Sequence, residues 1–140
     1  MTDSDSTLPL EIKVTEDGIH IYKLADWSNS GLKAWEESLV NRLDNLEDDE
    51  ISLSIYDMRH LTTVSKQGFD VANRLDTHPR SSRSYSVAVL SSRRLAILVD
   101  TLIKMRRHSG RNRIFSDIDE ALAWLRQKKS NREQGVITND

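Results

Sequence analysis

Within residues 51–75 the chain passes from the two-residue period of a strand to the 3.6-residue period of a helix, and that passage restricts the folds open to it. In ISLSIYD, Ile51, Leu53 and Ile55 fall on one face of a strand, with Ser52, Ser54 and Tyr56 on the other. The serines leave room for a helix to approach. Asp57 then stands at the strand's carboxyl end, the edge where open α/β sheets usually meet ligands and partners. MRHLTTV reads as the turn leaving that end. SKQGFDVANRL reads as the following helix, with Ser65 as an N-cap worth about 1 kcal/mol.

The flanking segments extend this pattern. Residues 1–9 are expected to be a disordered arm, 10–128 one domain, and 129–140 a polar tail. Residues 10–15 and 19–24 alternate apolar and polar around Glu16-Asp17-Gly18, which predicts a hairpin. Ser28, Asn29 and Ser30 offer caps for a helix with one apolar stripe, Leu32, Trp35, Leu39, Leu43 and Leu46. An acidic surface loop, 47–50, leads into the central strand. The second helix, 66–77, is predicted to bury Gly68, Ala72 and Leu75 with Phe69 at the margin, and to stop ahead of Pro79. After a basic loop at 80–83, the apolar run 85–90 suits a strand covered on both faces. Ser91 or Ser92 then caps a third helix ending near Gly110. Its stripe is Leu95, Leu98, Val99, Leu102, Ile103 and Met105, with Ile97 on the opposite side. A short strand at 113–115 precedes a helix capped by Ser116 that buries Ile118, Ala121, Leu122 and Leu125, with Trp124 on its flank. The order ββαβαβαβα implies a single-domain α/β fold with a mixed sheet, an N-terminal hairpin and four helices.

Composition narrows the function. The chain has no cysteine, so disulfides and thiolate chemistry are excluded. Its acidic start lacks the apolar core of a signal peptide, and no apolar run is long enough to span a bilayer, so a soluble cytoplasmic protein is expected. The net charge of -2 conceals an asymmetry. Residues 1–57 hold 4 Lys+Arg against 14 Asp+Glu, or -10, and residues 80–113 hold 9 against 1, or +8. Solvated faces of unlike sign account for this, as would a basic surface meeting an acidic partner or opposed patches meeting between subunits. Within KMRRHSGRNR, Arg106, Arg107, Arg111 and Arg113 are candidates for contact with a partner's carboxylates or with an anionic headgroup, since guanidinium forks match both.

Other chemistries find little support. A pI near 6.1 and 6% aromatic residues disfavour nucleic acid as a partner. The four histidines fall in four different elements with no metal-ligand spacing, and no Gly-rich phosphate loop is present, so neither a metal nor another cofactor is expected. Asp57, His60 and Ser65 have the composition of a hydrolase triad, but no G-x-S-x-G elbow surrounds Ser65. No catalytic residue is assigned.

The pattern resembles the STAS superfamily, and within it the SpoIIAA-like group. YDMRHLTTVSKQGF is similar to a family segment with a D-L-x-G-(V/L) start and a D-S-S-G-L end; Asp57, Met58 and Leu61 match the start, and Gly68 and Phe69 the end. FSDIDEALAWL is similar to the group's closing segment. The resemblance implies a non-enzymatic interaction or regulatory module that presents Met58, Arg59, His60, Ser65, Lys66 and Gln67 to another protein or to its own copy. Gln67 stands where relatives are phosphorylated on serine, so the phosphoswitch does not transfer. The alternative implied is a Sec14-like carrier of a small anionic or lipid-like molecule.

Overall fold

A computed structural model describes residues 9–105 and 111–133. Its elements are β1 (Leu10–Val14), β2 (His20–Leu24), α1 (Asn29–Asp44), β3 (Ser52–Asp57), α2 (Lys66–Asp76), β4 (Ser84–Val89), α3 (Arg93–Lys104), β5 (Asn112–Phe115) and α4 (Ile118–Glu133). The strands form one sheet in the order β1-β2-β3-β4-β5, with β1 antiparallel to β2 and every other pair parallel. This is the predicted α/β layout.

The hairpin turns on Gly18, whose φ of 88° lies in the left-handed region that only glycine enters freely. Arg126 and Lys129 of α4 hold the turn, bonding to the Asp17 carboxylate at 2.8 Å and the Asp17 carbonyl at 2.8 Å. Arg126, with Thr15, keeps the Asp17 carboxyl far below the usual carboxylate range. Within the expected polar tail at 129–140, α4 continues to Glu133, with Lys129 still engaged with the hairpin; residues 134–140, and 1–8 of the expected arm, lie outside the described residues.

Alternation along the strands divides the core. Ile19, Ile55, Val87 and Val89 meet Ala121 and Leu125 of α4, all fully buried, so among the described residues one face of the sheet is covered by a single helix. The other face carries α1, α2 and α3, the three crossover helices. Beneath them His20, Ser54, Ser86 and Asn112 stand side by side across β2 to β5. Ser52 and Ser54 are completely buried, as the need for room under a helix predicts. The next residues along form the row Tyr22, Tyr56, Ala88, Ile114.

Caps follow the chemistry of the side chains. Ser28, Ser65 and Ser92 accept from the backbone N–H three residues on, at 3.2, 3.0 and 3.2 Å. At α4 the cap is Asp117 rather than the expected Ser116: its carboxylate accepts from Asp119 N–H and its carbonyl from Ala121 N–H. The basic loop is consumed internally. Arg80 donates to the carbonyls of Leu43, Asp44 and Leu46 at the end of α1, and Arg83 to Glu47. His78 meets Asp44 at 2.8 Å, and Arg74 grips Glu36 with two bonds of 2.7 Å. Much of the charge asymmetry along the chain is therefore satisfied between neighbouring elements.

Helix α3 corrects the predicted stripe. At 100° per residue Leu95, Val99, Leu102 and Ile103 cluster toward the sheet, while Leu98 and Met105 fall at the margin, 42% and 78% exposed. Ile97 is exposed as expected. Described helical residues end at Lys104, and the predicted end near Gly110 lies outside the described residues. In α2 the buried apolar residue is Val71, with Ala72 and Leu75 only half covered.

His20, at the β2 end of the polar row, has its pKa lowered by burial and by the charge of Arg42, partly offset by the Gly18 carbonyl and Glu50. The unfolded chain therefore binds the proton more readily. Stability is complete above the unfolded value near 6.5 and is lost as pH falls from there through the folded value. The limiting slope is about 1.4 kcal/mol per pH unit. Urea titrations of wild type and His20→Gln between pH 7.5 and 5 should show a shallower acid-side loss in the variant; parallel curves would refute the assignment.

Candidate functional site

Two features adjoin on the side of the sheet that carries the three crossover helices, the first of them at the carboxyl edge of the parallel strands. The first is a shelf between β3 and α2. Met58 N–H donates to the Val89 carbonyl at 2.9 Å, and Leu61 N–H closes a turn onto Met58 at 3.0 Å. Both side chains are buried with Ala88, Leu90 and Leu95. Anchoring them turns Arg59 and His60 outward into solvent.

The shelf is fastened on three sides. The Asp57 carboxylate takes two bonds of 2.9 Å from the Arg59 guanidinium and one of 3.3 Å from its backbone N–H. Burial alone would raise this carboxyl, but the bonds from Arg59 outweigh it and lower its pKa, so the pair is ionic. A His60 ring nitrogen contacts the Leu24 carbonyl, tying the turn to β2. Trp27, ahead of α1, donates its indole N–H to the Thr63 carbonyl at 2.7 Å. Its ring lies over Gly68, where an added Cβ would come within 2.7 and 2.8 Å of ring carbons. Only a glycine lets α2 begin so close to that ring.

The second feature is a cleft between α2 and α3, floored by the sheet. Its outer chamber, about 90 Å³, is walled by Trp27, Met58, Phe69, Leu95, Val99 and Ile103. Its second chamber, about 70 Å³, lies under α1 and α2 at the amino ends of β4 and β5 and is lined by Leu39, Leu75, Asp76, Ser81 and Ser84. Trp35, Tyr56, Ala72, Ser86 and Asn112 border both. Tyr56 and Ser86 hydroxyls are 3.3 Å apart, and the Tyr56 ring meets Trp35 edge to face at 5.3 Å. The half-covered state of Ala72 and Leu75 follows: they face this cleft.

The residues singled out from the sequence separate into groups. Arg59, His60, Lys66 and Gln67 are exposed together on the shelf. Met58, expected on the surface, is buried because the turn needs an apolar anchor. Ser65 is half-buried and occupied as the cap of α2. Asp57, His60 and Ser65 each bond elsewhere, as a turn clamp, a strand tie and a helix cap. Arg106 and Arg107 lie outside the described residues. Arg113, exposed on β5, stacks 5.5 Å from Phe115 and 5.6 Å from Trp124 on the α4 face, whereas Arg111, just ahead of β5, is half-buried. Among the described residues no three metal-ligating side chains converge, and no helix is long and apolar enough to cross a membrane.

Sequence reasoning missed Trp27, Trp35 and Asn112. Trp27 falls between the hairpin and the first helix and carried no pattern, and Trp35 was read only as part of the apolar stripe, whereas Ser54, Ser86 and Asn112 could have been found by aligning the strands in register. No model of a known protein family matches the chain, and no curated protein matches it.

Proposed function

We propose that the chain is a non-enzymatic interaction or regulatory module of SpoIIAA-like, STAS-like type, which docks a protein partner or a second copy on the shelf of Arg59, His60, Lys66 and Gln67. The observation that carries this reading is the rigidity of a polar, exposed turn. Three independent ties, Arg59 to Asp57, His60 to Leu24 and Trp27 to Thr63, hold side chains that do nothing for the core. Preorganised surface lowers the ordering cost of association. Gln67 cannot accept a phosphoryl group, so control at that position would come from binding rather than from its phosphorylation. Native mass spectrometry of the protein gently purified from its own cells should give a complex or homo-oligomer. Lys66→Glu with Gln67→Glu should weaken it at least about tenfold, or about 1.4 kcal/mol. A bare monomer, or association indifferent to both substitutions, would overturn the reading.

A second reading, carriage of a small molecule as in Sec14-like proteins, is favoured by the cleft between α2 and α3. It requires no partner at the shelf. A stoichiometric small molecule in the same spectrum would support it.

A further inference from the structure

The cleft has a chemistry of its own. Its apolar wall and its polar floor meet along Ala72 and Ser86, which border both chambers. Trp35 also borders both, and its indole N–H is buried with no hydrogen-bond partner among the described residues. A buried donor left unpaired is costly, so an acceptor brought to it is favoured. Among the described residues, Asp76 and Arg113 are the charged side chains of the lining, and the Arg113 guanidinium is stacked on Phe115 and Trp124 across the sheet. An anionic headgroup would find a carboxylate where it needs a cation.

Size follows from volume. The chamber under α2 and α3 holds about 90 Å³ and the one beside it about 70 Å³, against the roughly 150 Å³ of an engineered apolar cavity that takes up benzene. We infer that the cleft between α2 and α3 binds a small uncharged amphiphile, a body of about six carbons lying beside Phe69, Leu95 and Val99 with its hydroxyl at Trp35 and Ser86. The inference rests on the carrier reading and narrows it to a neutral ligand, where the sequence left an anionic or lipid-like one open. Of the arginines that suggested an anion, Arg113 borders the cleft with its guanidinium engaged by Phe115 and Trp124, and Arg106 and Arg107 lie outside the described residues.

The test compares 1-hexanol with hexanoate, which share a six-carbon scale and differ in head charge, using the three indole N–H signals of the intact protein in ¹H–¹⁵N spectra. Trp27 and Trp35 border the cleft, whereas Trp124 packs on the opposite face of the sheet. Hexanol should shift the Trp27 and Trp35 signals saturably and leave Trp124 unmoved, with hexanoate at least about tenfold weaker. Ala72→Leu, on a helix surface that faces the void, should fill the cleft and weaken hexanol at least about tenfold without lowering the thermal midpoint. Ser86→Ala, a smaller change, should weaken it about threefold or more. Equal or tighter hexanoate binding would overturn the neutral class while leaving carriage intact. Absence of saturable shifts with either compound, or hexanol binding unchanged in both variants, would overturn the site itself.

Discussion

Leu125→Ala is expected to remove about 2–5 kcal/mol of stability, the range for deleting a fully buried leucine from a core that cannot collapse around the gap. Leu125 is 0% exposed and packs in the cluster of Ile19, Leu53, Ile55, Val87 and Val89. Among the described residues its helix is the only element over that face, so no neighbouring helix there can shift to refill the space. The three-helix face has more freedom. A urea titration should show a lower midpoint with an unchanged slope, the mark of lost stability rather than of a changed unfolded state. Leu98→Ala is the control, since Leu98 is 42% exposed at the margin of α3, and its change should stay below about 1 kcal/mol. Equal losses at the two positions would mean that α4 is not the lid of the core.

The contrast between Leu125 and Leu98 also marks what the sequence makes legible. Leu125, Ala121 and the strand residues Ile55 and Val87 are readable because period and burial agree there, the strands alternating or running apolar as their two covered faces require. Leu98 and Met105 fit a helical stripe equally well on paper, yet α3 covers the edge strand β5 and packs on one side only. Periodicity reports which residues share a side; how wide the covered sector becomes depends on the neighbours. The shelf was legible in the same partial way. The strand end at Asp57 and the cap at Ser65 follow from local chemistry, whereas the burial of Met58 and the clamp from Arg59 depend on where β4 and α3 lie. The cleft was illegible, because it is built from small residues, Ala72, Ser84 and Ser86, whose absence of bulk becomes a cavity only when the helices above them are placed. Charge misled most. Arg80 and Arg83 look like part of a basic surface but spend their donors on carbonyls at the end of α1 and at Glu47.

Gly68→Ala should lose about 1–3 kcal/mol, the range for overpacking a tightly fitted contact, although alanine is intrinsically the better helix former. The sign is decided by distance. A Cβ at Gly68 meets two carbons of the Trp27 ring at 2.7 and 2.8 Å, closer than any van der Waals contact allows, and the ring cannot swing away without releasing the Thr63 carbonyl. Gly31 makes the informative comparison, since its added Cβ would meet nothing nearer than 3.1 Å. Gly31→Ala should therefore cost less than Gly68→Ala, and the urea midpoints of the two variants check the ranking. A second readout separates strain from simple loss of packing: the Trp27 indole N–H signal should move in Gly68→Ala, reporting a stretched bond to Thr63, while Trp124 stays in place. Because Trp27 both ties the shelf and walls the outer chamber of the cleft, the same substitution should disturb partner docking and hexanol binding together, whereas Lys66→Glu with Gln67→Glu touches only the shelf and Ala72→Leu only the cleft. If Gly68→Ala proves stabilising, as helix propensity alone would have it, the ring does not sit over α2, and the rigidity on which the shelf's docking role depends is lost with it.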